Sequence, residues 1–186
     1  LFSKAIRRVA KPLYKAIDAV SKALPGRLWR VYGPEYASRP YLRPIQFRDY
    51  VGIVDKPIID MIQNRHGFAR IHSHGNLSDI LEIIESMGAT GLDPIEPPPQ
   101  GDVSLEYVRR RVGGRMTLFG NLEISDLENL EPDQFREKIR IALEQGTQGD
   151  GRGFVLMPSA CPYGRKISER TLRNYEQMVE MAEAHK

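Results

Sequence analysis

The chain has 186 residues, 41% of them apolar and 27% charged, which is enough for one good core and too little for two. No run of about eighteen apolar residues exists, so no stretch qualifies as a membrane-spanning helix. One cysteine, Cys161, excludes an internal disulfide and points to a reducing, cytoplasmic setting. The net charge of +3 is uneven: residues 1–50 hold eleven Lys or Arg against three Asp or Glu, and residues 51–186 hold sixteen against twenty-one.

In chain order, Phe2, Ile6, Val9, Leu13, Ile17, Val20 and Leu24 form a helical stripe, with Pro12 as a kink point. A basic amphipathic start also suits a targeting peptide or a nucleic-acid arm, but a stripe this regular is what a domain helix needs. Neither nucleic acid nor a membrane is expected as a partner. Pro25-Gly26 ends the pattern. Leu28 to Tyr32 reads as a strand, and Gly33-Pro34-Glu35-Tyr36 leaves it as a loop that continues through Pro40 and Pro44. Gln46 to Gln63 reads as a helix interrupted at Pro57, with Phe47, Tyr50, Val51, Val54, Ile58, Ile59 and Ile62 on one side.

Phe68 to His72 is the next strand, and Ser73-His74-Gly75-Asn76 turns off its end. A helix over 77–87 follows. Thr90 to Glu96 is a short strand that runs into the proline-rich loop 97–102, and 104–112 is a short helix. Arg115 to Gly120 is a strand left by Asn121-Leu122-Glu123. A helix over 132–145 begins at Pro132, a residue suited to the first turn. The glycine-rich segment 145–153 is expected to be mobile. Gly153 to Met157 is the last strand, left by Pro158-Ser159-Ala160-Cys161-Pro162, and a helix over 168–184 closes the chain.

Strands alternating with helices at this spacing imply right-handed crossovers and a parallel sheet. The sheet is either open or part of a (β/α)8 barrel. No glycine-rich phosphate motif follows the first strand, which counts against a dinucleotide-binding fold. A full barrel needs roughly 250 residues, and this chain supplies about five of eight units. The expectation is therefore one partial domain over 1–186, an amino-terminal helix (1–26) followed by β/α units (27–186). Its open strand edges call for cover, from further residues of a longer protein or from a second copy in a homodimer.

In either sheet the residues just after each strand are delivered to one end. They are Glu35 and Tyr36; His72, Ser73 and His74; Asp93 and Glu96; Asn121 and Glu123; Ser159 and Cys161. His72 and His74 stand two residues apart, so on extended backbone they share a face. Two ordinary histidines, one buried and one exposed, would give the same spacing, and most lone cysteines are small buried residues. Imidazole and thiolate also suit Zn2+, and three protein ligands with an open position form the catalytic arrangement. On that reading His72, His74 and Cys161 are the ligands, and Glu35 or Glu96 is a displaceable fourth.

Four motifs then carry a resemblance: Gly33-Pro34-Glu35-Tyr36; Ile71-His72-Ser73-His74-Gly75; Gly120-Asn121-Leu122 followed by a leucine and a proline-started helix; and Ser159-Ala160-Cys161-Pro162 followed by Asn174. From about residue 27 to its end the chain resembles the carboxyl-terminal portion of the uroporphyrinogen decarboxylase family. It looks closest to the branch of corrinoid-dependent methyltransferases. The resemblance implies a (β/α)8 TIM-type barrel, with this chain as its later half. It also implies zinc held by a His-x-Cys pair and a later Cys. The first His falls on His72 and the last Cys on Cys161, while His74 replaces the middle Cys. One thiolate fewer makes the metal more Lewis acidic and leaves the thiol substrate open.

The implied function is a zinc-dependent methyltransferase. It would move a methyl group between a corrinoid (methylcobalamin, free or on a corrinoid protein) and a thiol or other nucleophile. Glu35, Glu96 and Asn121 are the catalytic candidates, and Tyr36, Ser73, Glu123 and Ser159 the substrate-binding ones. The alternative is a metal-free decarboxylase-like protein acting on or binding a tetrapyrrole, with His72 and His74 as acid–base or carboxylate-binding groups. A non-enzymatic remnant is a third reading.

Overall fold

A computed structural model describes residues 2–164 and 166–185. The chain forms two compact units, Leu1–Asp93 and Pro94–Lys186. Each is built of parallel strands joined through helices, the α/β pattern expected.

In the first unit, helix α1 (Phe2–Ala23) runs through Pro12. Its apolar stripe is only partly covered. Phe2, Val9 and Leu13 are 59%, 73% and 47% exposed, whereas Ala10 and Ser21 are buried. α1 packs on α3 (Ile53–Gln63), and Ile6, Tyr14 and Ile17 of α1 are half-buried. The Tyr14 hydroxyl donates to Val54 O at 3.1 Å across the contact. Strands β1 (Leu28–Val31), β2 (Phe68–His72) and β3 (Gly91–Asp93) pair in parallel. Trp29 stands beside Ala69, Arg30 beside Arg70, Arg70 beside Gly91, and His72 beside Asp93.

The helical run before β2 is less regular than expected. A short α2 (Pro44–Gln46) passes into a π-helical segment (Phe47–Gly52) and then into α3. Pro57 does not break the run; it sits inside α3. The bond its missing N–H cannot make would go to Ile53, the first residue of α3. The irregular turn therefore lies at the seam where that carbonyl is already released. Gly67 joins α3 to β2, and a Cβ there would meet Ile62 Cγ2 at 2.8 Å and two carbonyl oxygens at 3.0 Å. After β2, residues 77–80 form a turn and regular α4 spans only Leu81–Ser86. Phe47, Ile59, Ile62, Ile71, Leu77, Leu81, Ile84 and Leu92 are fully buried and make the core of this unit.

The α1–α3 contact carries a titrating group. Asp55 is half-buried in the first turn of α3, and burial pushes its carboxyl from 3.8 up to about 7. The folded state thus favours the neutral acid. That advantage is complete below about pH 4 and is lost as pH rises through about 7. Asp55→Asn should remove this loss. Denaturant titrations at pH 5 and pH 8 should show the wild type losing on the order of 2 kcal/mol across the interval, a discounted figure for a half-exposed group. The variant should stay level. Equal slopes for the two proteins would rule the assignment out.

In the second unit, Ser104 caps α5 (Leu105–Val112) by accepting from Tyr107 N at 3.1 Å. Strand β4 (Thr117–Leu122) leads into α6 (Ile124–Asn129) and α7 (Pro132–Gly146). Strand β5 (Phe154–Pro158) precedes α8 (Glu169–Ala184), which is capped by Ser168. β4 and β5 pair in parallel, from Leu118 beside Phe154 to Leu122 beside Pro158. Ile95 N extends the ladder by donating to Phe119 O at 3.2 Å. A Cβ on Gly120 would come within 3.2 Å of Ile95 N, so the close approach at that point of β4 requires glycine. Asn174 of α8 is fully buried, and its Nδ2 donates to Leu127 O and Leu130 O at 2.9 Å each. It thereby fastens α8 to the end of α6. Among the described residues no helix is long and apolar enough to cross a membrane.

Candidate functional site

Parallel pairing sends the strand exits of the first unit to one edge. There the period of two selects a face. Arg30 stands beside Arg70 and His72 beside Asp93. Tyr32 lies two residues beyond Arg30, and His72 and His74 lie two and four beyond Arg70. These six side chains therefore belong to one face of the sheet.

They meet there. His72 Nδ1 lies 2.6 Å from Asp93 Oδ1. Arg30 donates to the same oxygen through Nε at 3.2 Å and Nη2 at 2.8 Å, and Arg70 Nε is 3.1 Å from Oδ2. The Arg30 guanidinium also lies over the Tyr32 ring, 4.7 Å from its centroid, and Nη1 donates to the Tyr32 hydroxyl at 2.7 Å. The His72 ring is edge-on to Tyr32 at 4.9 Å and to His74 at 4.6 Å. Asp93 is fully buried and His72 is 5% exposed. Burial acts to raise the Asp93 carboxyl, but hydrogen bonds from His72 and Arg30 and the charges of Arg30 and Arg70 outweigh it. They hold the carboxyl below the ordinary carboxylate range. Burial acts to lower the Arg30 guanidinium, and its bonds to Asp93 more than offset that, so it stays charged.

The other expected site residues of this unit lie at the same edge. Glu35 and Tyr36 are carried by the 3-10 turn Pro34–Ala37 after β1. Gly33 enters that turn with φ 118°, and its N–H donates to Glu35 Oε2 at 2.9 Å. The half-buried carboxylate therefore closes its own turn, and Tyr36 is exposed. Ser73 is fully buried, and its N–H continues the ladder to Asp93 O at 2.8 Å.

The remaining candidates belong to the second unit. Asn121 is half-buried in β4, Glu96 and Glu123 are buried, and Cys161 is exposed. Ser159 and Glu123 engage each other. The Ser159 hydroxyl donates to Glu123 Oε2 at 3.3 Å and accepts from Ile124 N at 3.2 Å, while its backbone N–H donates to Leu122 O at 2.7 Å. This ties the exit of β5 to the start of α6. Asn121 and Glu123 also line a cavity of about 240 Å³ beside Ser104, Asp126 and Lys138. Among the described residues no group of three or more His, Cys, Asp or Glu side chains is gathered to hold a metal ion.

The donor chemistry of the first unit nonetheless fits zinc. His72 is anchored through one nitrogen by a carboxylate, as metal-binding histidines commonly are, and a second imidazole stands edge-on beside it. Arg30 and Arg70 were not candidates from the sequence. Their signal is positional, since each stands two residues before an aromatic or histidine at a strand end. It becomes visible only once the register is known.

A family model described as Uroporphyrinogen decarboxylase (URO-D) matches residues 34–185. No curated protein matches the chain. Among solved structures, the fold is similar to that of a "methyltransferase from Methanosarcina mazei", with a TM-score of 0.69 and 18% identity over 98% of this chain and 50% of that one. The chain thus spans about half the length of that protein. The likeness shows the fold, α/β of the (β/α)8-barrel type as expected. With 152 of its 186 residues inside the matched span 34–185 (185 − 34 + 1), the chain belongs to the uroporphyrinogen decarboxylase family.

Proposed function

We propose that the full-length protein is a zinc-dependent methyltransferase that moves a methyl group between a corrinoid and a thiol or other nucleophile. The observation that carries the reading is the buried His72–Asp93 pair with His74 against it. The methyltransferase whose fold this chain shares adds support. His72, His74 and Cys161 would hold the metal. Zinc, when bound, supplies the positive charge that keeps a thiol or hydroxyl substrate anionic at neutral pH.

The chain's own residues do the rest. Asp93 and Arg30 hold the His72 ring in place. Glu35, Glu96 and Asn121 are the groups proposed to position the reacting atoms and handle protons. Tyr36, Ser73, Glu123 and Ser159 are proposed to contact the substrate. The methyl carrier would be free cobalamin or a corrinoid protein.

One observation favours a second reading. Two guanidinium groups, those of Arg30 and Arg70, converge on the single carboxylate of Asp93. Positive charge therefore predominates among these three, as suits a site for the carboxylates of a tetrapyrrole. Elemental analysis of the full-length protein separates the two. The methyltransferase reading expects one zinc per chain in wild type. It expects zinc to be lost in His72→Ala and in Cys161→Ser, together with methyl transfer from methylcobalamin to a thiol. Equal zinc in all three proteins, or none in any after reconstitution, leaves the metal-free tetrapyrrole reading in front.

A further inference from the structure

The contacts of His72 determine which of its nitrogens is available. Nδ1 has two close neighbours, Asp93 Oδ1 at 2.6 Å and Arg30 Nη2 at 2.8 Å. They demand opposite states of that atom. A guanidinium only donates, an ionised carboxylate only accepts, and a ring nitrogen makes one in-plane hydrogen bond. The geometry decides between them. Arg30 Nη2 lies at the same 2.8 Å from Asp93 Oδ1, and Arg30 Nε reaches that oxygen at 3.2 Å. The hydrogens of Arg30 thus have an anionic acceptor at hand, and charge-assisted bonds of this kind are the stronger ones. Asp93 Oδ1 has no such alternative toward the ring. A bare Nδ1 lone pair facing a carboxylate oxygen at 2.6 Å would set two acceptors against each other.

We propose that Asp93 is a positioning residue that holds His72 as its Nδ1–H tautomer, so that Nε2 is the atom offered to a metal ion or an incoming proton. The fold makes this a fixed feature of the site. His72 and Asp93 are register neighbours, and the bond from Ser73 N to Asp93 O at 2.8 Å carries the ladder one step past β2. Arg30 bonds the same carboxylate oxygen, and Arg70 forms an ion pair with the other. Both members of the pair are buried, so water does not compete for Nδ1. The tautomer follows from these residues alone, with or without a metal.

Long-range 1H–15N correlation of histidine side chains in the full-length, metal-free protein at pH 8 reads the tautomer directly. His72 is identified by the signals lost in His72→Gln. In wild type the expected pattern is a protonated Nδ1 and a bare Nε2, in roughly tenfold excess or more over the other form. That excess corresponds to about 1.4 kcal/mol. Asp93→Asn removes the charge that favours the donor and should reduce the excess severalfold. A merely structural role for Asp93 would leave the ratio unmoved. A wild-type His72 found mainly as Nε2–H overturns the proposal without recourse to any variant at position 93. So does a ratio that is the same in wild type and in folded Asp93→Asn.

Discussion

Replacing Arg109 by methionine should cost the full-length protein about 3–5 kcal/mol, the loss expected when a buried charge is removed from several hydrogen-bond partners. Arg109 lies on α5 and is 8% exposed. Its Nη1 donates to Gly113 O at 3.0 Å and Arg152 O at 3.1 Å, and its Nη2 donates to Gly153 O at 3.1 Å and closely to Gly146 O. Gly146 ends α7, where orphan carbonyls and the negative end of the helix favour a cation. Arg152 and Gly153 lead into β5. One planar fork thus anchors both ends of the glycine-rich segment expected to be mobile, in which Gly149, Gly151 and Gly153 adopt φ of 83°, 68° and 70°. Burial pushes the guanidinium downward from its ordinary range, a cost borne only because the four carbonyls are there. Methionine fills the space but donates nothing. Lysine keeps the charge but lacks the fork, so Arg109→Lys should recover less than half of the loss. Urea unfolding with a common m-value measures both. A methionine variant within 1 kcal/mol of wild type would show that water replaces the guanidinium at these carbonyls.

The contrast between Arg109 and the histidines shows what a single sequence conveys. His72 and His74 are legible because the period of two is local, and the turn that follows places them at a strand end. The alternation of strands and helices is legible for the same reason and implies a parallel sheet, open or closed, while the resemblance to the family supplies the (β/α)8 type. Arg30, Arg70 and Arg109 read as ordinary surface cations, because Asp93 lies 63 and 23 residues from the first two and most of the carbonyls bound by Arg109 lie 37–44 residues from it. Only register and packing bring them together. The stripe on α1 is legible as amphipathic, yet its residues Phe2, Val9, Leu13, Val20 and Leu24 stay exposed while Ala10 and Ser21 beside it are buried. Periodicity reports which face is apolar, not which face is covered. α6 escaped notice because six residues, Ile124–Asn129, give too short a window for a helical period. Ser159 and Glu123 were placed correctly at strand exits, but nothing local shows that they bond to each other.

The second large effect is expected at Asp93. Asp93→Ala removes the one carboxylate that Arg30, Arg70 and His72 share, and should destabilise the full-length protein by about 3–5 kcal/mol at pH 7, the range for orphaning a buried charge. Most of that loss comes from the stranded guanidinium groups. The remedy is therefore to remove a stranded group as well. Asp93→Ala combined with Arg30→Met should be more stable than the sum of the two single changes predicts, by about 1–3 kcal/mol of coupling. The pH dependence has a definite sign. The folded-state carboxyl lies below its ordinary value of 3.8, so its contribution is complete above about pH 4 and is lost as pH falls through the folded value. Wild type should lose this increment in acid, and Asp93→Ala, having none to lose, should approach it in stability as pH drops below 4. Denaturant titrations of the four proteins of the cycle at pH 7 and pH 3.5 supply the numbers. Additive single changes, or a gap between wild type and Asp93→Ala that does not narrow in acid, would mean that the four side chains meet in space without depending on one another.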